Sequence, residues 1–80
     1  MFNRGIVLTY GPKAITIQKT NKEQFYAPLE DIHDSVLKLL RNTIRFEVIF
    51  KVNTELYSGE IKGKKRYYAY DVRIADTVIF

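Results

Sequence analysis

The residues of this chain that are best suited to chemistry are a basic run and the tyrosine beside it. The run consists of Lys62, Lys64, Lys65 and Arg66, and Tyr67 follows it directly. Cationic side chains neutralise nucleic-acid phosphates and make binding depend on salt. Aromatic rings provide a surface on which any base can stack. This combination indicates a surface for a single-stranded polyanion, and the simpler interpretation is a solvated basic loop.

Groups suited to catalysis or metal binding are sparse. His33 is the only histidine, and Asp31 and Asp34 lie close to it in the sequence. No serine or cysteine motif accompanies it to form a nucleophile and base, and no second strong metal ligand has a suitable spacing. The glycine-containing segment 59–64 lacks the further residues of a phosphate-binding loop. The sequence therefore predicts no enzyme activity, no catalytic or metal site and no cofactor.

Length and composition point to one small domain. The chain has 80 residues, and we expect a single domain spanning residues 1–80 with a small core. It contains no cysteine, so its stability must come from packing and hydrogen bonding. The apolar run within residues 1–10 is too short for a signal sequence or a membrane span. We therefore expect a soluble, cytoplasmic protein with no membrane partner.

The formal net charge of +4 is unevenly distributed. Residues 20–37 contain one basic side chain, Lys22, against four acidic ones, which are Glu23, Glu30, Asp31 and Asp34. The rest of the chain is distinctly basic, which is compatible with a polyanionic partner. Charge by itself favours the simpler interpretation, a basic excess that aids solubility.

The apolar pattern predicts five strands. They cover residues 5–10, 14–18, 25–28, 43–51 and 67–74. A glycine-proline turn separates the first two, which should pair as a hairpin with Ile15 and Ile17 directed inward. Pro28 ends the third strand because proline has no N–H to donate to an interior ladder.

Alternation of side chains assigns a core face to each later strand. In the third strand Phe25 and Ala27 face the core, and Tyr26 lies on the other face with Pro28. In the fourth strand the predicted inward residues are Ile44, Phe46, Val48 and Phe50. In the last strand the predicted core residues are Tyr68, Tyr70, Val72 and Ile74, and the predicted outward residues are Tyr67, Ala69, Asp71 and Arg73.

Two segments between the strands have a different character. Residues 30–41 carry the helical pattern and should form one or two turns, with Asp31 or Asp34 as the N-terminal cap and Asn42 closing the end. Residues 53–66 are predicted to be a long connection or a mobile hairpin tip. The apolar segment 77–80 can extend the last strand, cover the end of a barrel or contact a second copy of the chain.

Five strands with a helical interruption between the third and fourth predict an all-β protein, a small five-stranded antiparallel barrel that leaves no exposed edge. Four segments, in order, resemble the cold-shock domain, an OB-fold that binds single-stranded RNA and DNA. They are Gly5-Ile6-Val7, residues 25–32, Ile44-Arg45-Phe46-Glu47-Val48 and Ala69-Tyr70-Asp71-Val72-Arg73. The resemblance implies a cold-shock-like OB-fold with RNA or DNA as its partner.

The chain departs from the cold-shock family where the aromatic platform is expected. The two stacking positions on the second strand hold Ala14 and Thr16, and Tyr26 alone remains on the third strand. The other replacements are Thr9 for a tryptophan, Pro28 for a histidine and Leu29 for an aromatic residue. We therefore expect weak binding that depends mainly on charge.

The predicted binding residues combine the surviving aromatic groups with nearby basic ones. Lys13 lies at the first hairpin, where the family often has a lysine that contacts phosphate. The full predicted set is Tyr10, Lys13, Tyr26, Lys62, Lys64, Lys65, Arg66, Tyr67 and Arg73.

The alternative hypothesis is a barrel that has lost nucleic-acid binding and serves protein interaction or self-association. Its partner would be another protein or a second copy in a homodimer. Exposed apolar patches commonly mark such interfaces. The residues that support it are Leu29, Ile49, Val78, Ile79 and Phe80.

Overall fold

Five strands close into one barrel in the computed structural model of the chain, which describes residues 2–75. The strands are β1 (Asn3–Tyr10), β2 (Ala14–Gln18), β3 (Gln24–Pro28), β4 (Glu47–Ile61) and β5 (Lys64–Ile74). A 3-10 turn at Leu29–Asp31 and the helix α1 (Asp34–Leu40) connect β3 to β4. The prediction of a small β-barrel with a short helical segment between the third and fourth strands is confirmed.

The strands follow the order β1-β2-β3-β5-β4 around the barrel, and β4 pairs back to β1. Neighbouring strands are antiparallel except β3 and β5, which run parallel and pair Phe25 with Tyr67 and Tyr26 with Tyr68. The prediction of a wholly antiparallel barrel is therefore wrong at this contact. A closed ring with an odd number of strands cannot alternate direction throughout, so at least one parallel pair is unavoidable.

The core is formed by inward side chains of all five strands and is covered by α1. The predicted inward residues of β2 and β3 are buried, and so are Val48 and Phe50 of β4. The rings of Phe25 and Phe50 meet at a centroid distance of 5.1 Å. Val36 and Leu40 bring one face of α1 into the same cluster.

β5 contains a bulge at Asp71. Ile49 of β4 lies opposite Arg73, whereas Lys51 lies opposite Tyr70, so β5 has one residue more than β4 between these pairs. Asp71 has a φ of 53°, a left-handed conformation that aspartate adopts more readily than most residues. An extra residue inverts the alternation of side chains along the strand.

The predicted faces of β5 are inverted before this bulge, and one predicted core residue after it is also wrong. Val72 is buried as expected, but so is Ala69, three residues earlier. Tyr67 therefore packs against the core, whereas Tyr68 is only half-buried and Tyr70 is 41 % exposed. Ile74, at the end of the strand, is also exposed and does not belong to the core.

β4 and β5 continue far beyond the barrel as a two-stranded hairpin. Its turn consists of Lys62 and Gly63, with φ values of 52° and 82°, as a two-residue turn of type I′ requires. Of the two alternatives predicted for residues 53–66, the hairpin is present, and the long connection without strands is wrong. The segment has no alternating apolar pattern because most of its side chains are exposed and because its ladder shifts register between Asn53 and Tyr57 and again between Tyr57 and Glu60.

The segment around α1 also differs from its prediction in two places. His33 is the N-terminal cap residue, and no side chain caps the helix, so neither Asp31 nor Asp34 has the predicted capping role. At the other end the cap residue is Arg41 rather than the predicted Asn42, whose backbone N–H donates to the Leu39 carbonyl at 3.0 Å.

β4 begins only at Glu47, so the predicted inward position of Ile44 is wrong. Arg45 has a φ of 66° and interrupts the extended conformation, and Ile44 is 41 % exposed. Phe46 is half-buried and packs against the core. The predicted roles of residues 77–80 lie outside the described residues.

Candidate nucleic-acid interface

One outward residue from each strand lies in a row that crosses the barrel. Cross-strand pairs join Thr9 to Thr16, Thr16 to Tyr26, Tyr26 to Tyr68 and Tyr68 to Asn53. Residues that pair directly across neighbouring strands lie on the same face of the sheet. The centre of the row is therefore aromatic, and small polar side chains flank it.

Tyr26 and Tyr68 form an aromatic pair at this centre. Their ring centroids are 5.2 Å apart and their planes are tilted by 57°. Because of this tilt, a flat base can lie against one ring but not across both. The pair therefore offers a place for about one stacked base, worth about 1–3 kcal/mol.

Arg66 lies over the ring of Tyr26, with its central guanidinium carbon 5.1 Å from the ring centroid. Its Nε donates to the Ser58 carbonyl at 3.0 Å, and a terminal nitrogen donates to Ser58 Oγ at 3.2 Å. These bonds hold a planar cation beside the aromatic pair. Such a group can stack on a base or donate to a phosphate.

A groove of about 450 Å³ adjoins the aromatic pair at the end of β3. The backbone N–H of Leu29 donates to the Lys13 carbonyl at 3.0 Å, which holds the β1–β2 turn against this end of the strand. Lys13 and Tyr26 therefore lie together along this groove. The groove is lined by Pro12, Lys13, Tyr26, Pro28, Leu29, Glu30 and Tyr68.

The basic cleft lies near the other end of β3. Here the β2–β3 turn faces the tip of the β4–β5 hairpin across a cavity of about 150 Å³. All four basic residues of the predicted run line it, together with Lys22 from the opposite turn. The other lining residues are Glu23, Gln24 and Ile61.

Tyr57, rather than Tyr67, provides the exposed ring beside the hairpin lysines. Tyr57 is 47 % exposed, and Lys65 Nζ lies 4.9 Å from its ring centroid. The Tyr67 ring meets Tyr57 edge-on at 6.3 Å and packs against the core on its other side. The outward position predicted for Tyr67 is therefore wrong.

Two of the predicted binding residues lie apart from the aromatic pair. Tyr10 pairs with the buried Ile15 at the end of β1 and is not among the residues that line the groove. Arg73 lies beyond the bulge and donates its Nε to Asp71 Oδ1 at 3.0 Å. His33 Nε2 lies 2.7 Å from the same oxygen.

These contacts form an ion cluster around Asp71. The hydrogen bonds from Arg73 and with His33 lower the pKa of Asp71 from its ordinary value of 3.8, and the charge of Lys51 adds to this effect. Lys51 Nζ lies 3.6 Å from the second carboxylate oxygen. The cluster joins β4 and β5 to the residue that precedes α1, and its basic side chains are already paired.

The sequence pattern gives no binding role to Tyr68, Tyr57 or Lys22. An aspartate inside a strand is compatible with a bulge, because aspartate tolerates a positive φ, and a bulge at Asp71 places Tyr68 outward. Nothing comparable identifies Lys22, since the other basic residues of the cleft come from the β4–β5 hairpin, which is remote in sequence.

Comparison of the chain with protein-family models, with curated proteins and with solved structures gives no match. Within residues 2–75, no helix is both long and apolar enough to cross a membrane. The same residues contain no group of three or more His, Cys, Asp or Glu side chains placed to hold a metal ion.

Proposed function

We propose that this chain binds single-stranded RNA or DNA as a divergent OB-fold of the cold-shock type. The observation that carries the proposal is the position of the Tyr26–Tyr68 pair between Lys13 at one end and the basic cleft at the other. A strand that follows β3 meets a cation, an aromatic surface and a cluster of cations in turn. Backbone charge supplies most of the affinity, and one stacked base adds to it.

The topology of the barrel supports this proposal. OB-folds bind oligonucleotides on the face of strands 2 and 3 and through the loops that join strands 1 to 2 and 4 to 5. In this chain Tyr26 lies on β3, Lys13 in the β1–β2 turn and Lys62 in the β4–β5 turn. The three places that the fold uses for binding therefore carry an aromatic ring and two cations.

The binding expected from this surface is weak and tolerant of sequence. Both rings of the aromatic pair are half-buried, and the rest of the central row consists of two threonines and an asparagine. A π-face stacks on any base. The cations contact phosphates, which are the same in every sequence.

Titration of single-stranded oligonucleotides at low salt tests the proposal, with Tyr68→Ala as the variant and Tyr70→Ala as its control. Tyr70 lies on the same strand and is 41 % exposed, but unlike Tyr68 it does not line the groove beside Tyr26, and it lines no part of the basic cleft. We expect Tyr68→Ala to weaken binding about fivefold or more, and Tyr70→Ala to leave it unchanged.

Amide shifts measured by NMR during the same titration should concentrate on β2, β3 and the hairpin tip. Absence of binding at low salt, or shifts confined to the Asp71 cluster and α1, would contradict the proposal.

Self-association remains a second candidate because the outer half of β4 exposes apolar side chains. Leu56 is 55 % exposed, Tyr57 47 % and Ile61 38 %. Leu29, by contrast, is half-buried and packs against the core, so it does not support an interface. Light scattering over a wide concentration range tests this candidate. If the chain self-associates through this surface, we expect a dimer that Leu56→Asn disrupts. A monomer at every concentration would count against it.

A further inference from the structure

We propose that the basic cleft binds the terminal phosphate of a nucleic-acid strand whose adjacent base lies against the Tyr26–Tyr68 pair. This inference rests on the proposed function and goes beyond it, because it assigns an end of the strand to one particular cavity. Its basis is that the β2–β3 turn and the β4–β5 turn, which are remote in sequence, line the same small cavity.

The charge of the cleft exceeds what one internal phosphate requires. Five basic side chains and one carboxylate line it, so its formal charge of +4 equals that of the whole chain. An internal phosphodiester carries one negative charge. A terminal phosphate monoester carries close to two at neutral pH, because its second pKa is about 6, and it offers three oxygens as acceptors.

The lysines of the cleft form no ion pair with any residue that the structure describes, and Lys65 alone among them lies over an aromatic ring, that of Tyr57. Within residues 2–75, ion pairs form around Glu47 and Asp71, and none of them involves Lys22, Lys62 or the other cleft lysines. The Glu23 carboxylate accepts a hydrogen bond from the Asn21 side-chain amide at 2.8 Å. Glu60 lies opposite Lys65 in the β4–β5 ladder but does not line the cavity.

The backbone of both turns supports a binding role for the cleft. Lys22 and Lys62, one from each turn, have φ values of 72° and 52°. A residue with a Cβ is strained in this region, which glycine or asparagine adopts more easily. A lysine at both positions keeps two charges beside the cavity at a cost to each turn, and strained residues of this kind cluster at functional sites.

Arg66 connects the cleft to the aromatic pair. Arg66 is one of the residues that line the cavity. Its guanidinium lies over the Tyr26 ring and is held there by a hydrogen bond to the Ser58 carbonyl. A phosphate in the cavity and a base against Tyr26 can therefore belong to one nucleotide. The cavity, at about 150 Å³, exceeds the roughly 30 Å³ share of one water several times, so an oxyanion fits in it.

Oligonucleotides of one sequence and about six nucleotides, a typical length for one OB-fold site, test the inference in three forms. One form has a phosphate at its 5′ end, one at its 3′ end, and one has hydroxyl groups at both ends. We expect one of the two phosphorylated forms to bind about tenfold more tightly than the other two, as a strong charge-assisted contact provides. The two phosphorylated forms have equal charge, so equal tightening of both reflects net charge alone and overturns the inference.

Lys22→Asn should remove this preference, since asparagine tolerates the same φ and carries no charge. Glu23→Gln should increase it, and Lys38→Gln on α1 should leave it unchanged. Persistence of the preference in Lys22→Asn overturns the inference. Equal binding of all three oligonucleotides refutes recognition of an end but leaves the proposed function intact, whereas no binding of any of them refutes both.

Discussion

Gly5 shows how one residue sets the closure of the barrel. It pairs with Val48 on one side and lies against β2 on the other. A Cβ at this position would lie 2.6 Å from Ile17 Cγ2 and 3.0 Å from the Gln18 carbonyl oxygen. Ile17 is fully buried and β-branched, so its methyl group has little freedom to move away. β1 can approach β2 this closely only because residue 5 has no side chain.

We therefore expect Gly5→Ala to lower the free energy of unfolding by about 1–3 kcal/mol, the usual cost of overpacking a core. Gly11→Ala is the matched control, because its nearest contact would be the Ala14 carbonyl oxygen at 3.5 Å, an ordinary van der Waals distance. Urea denaturation of both variants measures the difference. Equal stability of the two variants would show that β1 shifts to accommodate the methyl group.

At the level of elements, the Asp71 bulge determines both the tyrosines that β5 exposes and the attachment of the helical segment. The bulge carries the carboxylate that meets His33, Arg73 and Lys51. The backbone N–H of His33 also donates to the Val72 carbonyl at 3.0 Å, beside the bulge. The same residue therefore inverts the faces of β5 and holds the start of α1 against the barrel.

The Asp71 cluster makes the stability of the protein depend on pH in a defined direction. The pKa of Asp71 is lowered in the folded state, first by the hydrogen bond from Arg73 and then by that with His33. A lowered carboxyl pKa contributes stability above the ordinary value of 3.8, and this contribution is lost as the pH falls below that value.

Asp71→Asn isolates this effect, because asparagine tolerates the left-handed conformation but carries no charge. We expect the variant to be less stable than the native chain at neutral pH, and this difference to shrink as the pH falls below 3.8. Urea denaturation of both proteins from neutral pH down to about pH 3 measures it. Arg73→Gln should show the same trend, and a difference that does not change with pH would contradict the assignment.

The same elements show what could be predicted from the sequence. The alternation in β2 and β3 is unbroken, so the inward positions of Ile15, Ile17 and Phe25 and the end at Pro28 follow from the pattern. In β5 the bulge at Asp71 interrupts the alternation by one residue. Counting alternate residues back from the buried Val72 therefore places Tyr68 in the core, although it lies on the outer face. The outer hairpin has no apolar pattern, because most of its side chains are exposed and its pairing shifts register twice.

The candidate site could be predicted from the sequence only where its residues are close together in the chain. The basic run at the hairpin tip and the outward Tyr26 are local features, and the structure brings them to one surface. Lys22 joins them only through the parallel contact of β3 with β5. That contact follows from closure of the whole barrel, and no sequence pattern within a single segment predicts it.

At the scale of the whole molecule, the basic excess is concentrated at one end. The basic cleft carries a formal charge equal to the net +4 of the sequence, so the charged residues outside the cleft sum to zero over the whole sequence. The Asp71 cluster also neutralises basic side chains away from the cleft. A polyanion that approaches the protein is therefore attracted toward the hairpin tip rather than toward the barrel as a whole.

This asymmetry predicts that the salt dependence of binding depends on a few lysines. For a single strand, the logarithm of the association constant falls with the logarithm of salt concentration by about 0.7 for each phosphate neutralised. We expect the double variant Lys64→Gln, Lys65→Gln to reduce this slope by about 1.4, because it removes two such contacts. Affinity titrations at several salt concentrations measure the slope.

Lys38→Gln is the control for this variant, because Lys38 lies on α1 and is not among the residues that line the groove or the cleft. If binding follows the local charge of the cleft, Lys38→Gln retains the native slope although it also removes a positive charge. If binding follows net charge alone, each lysine removed has the same effect wherever it lies. Equal effects per lysine in the two variants would therefore reject a localised path for the strand and leave only a diffuse attraction.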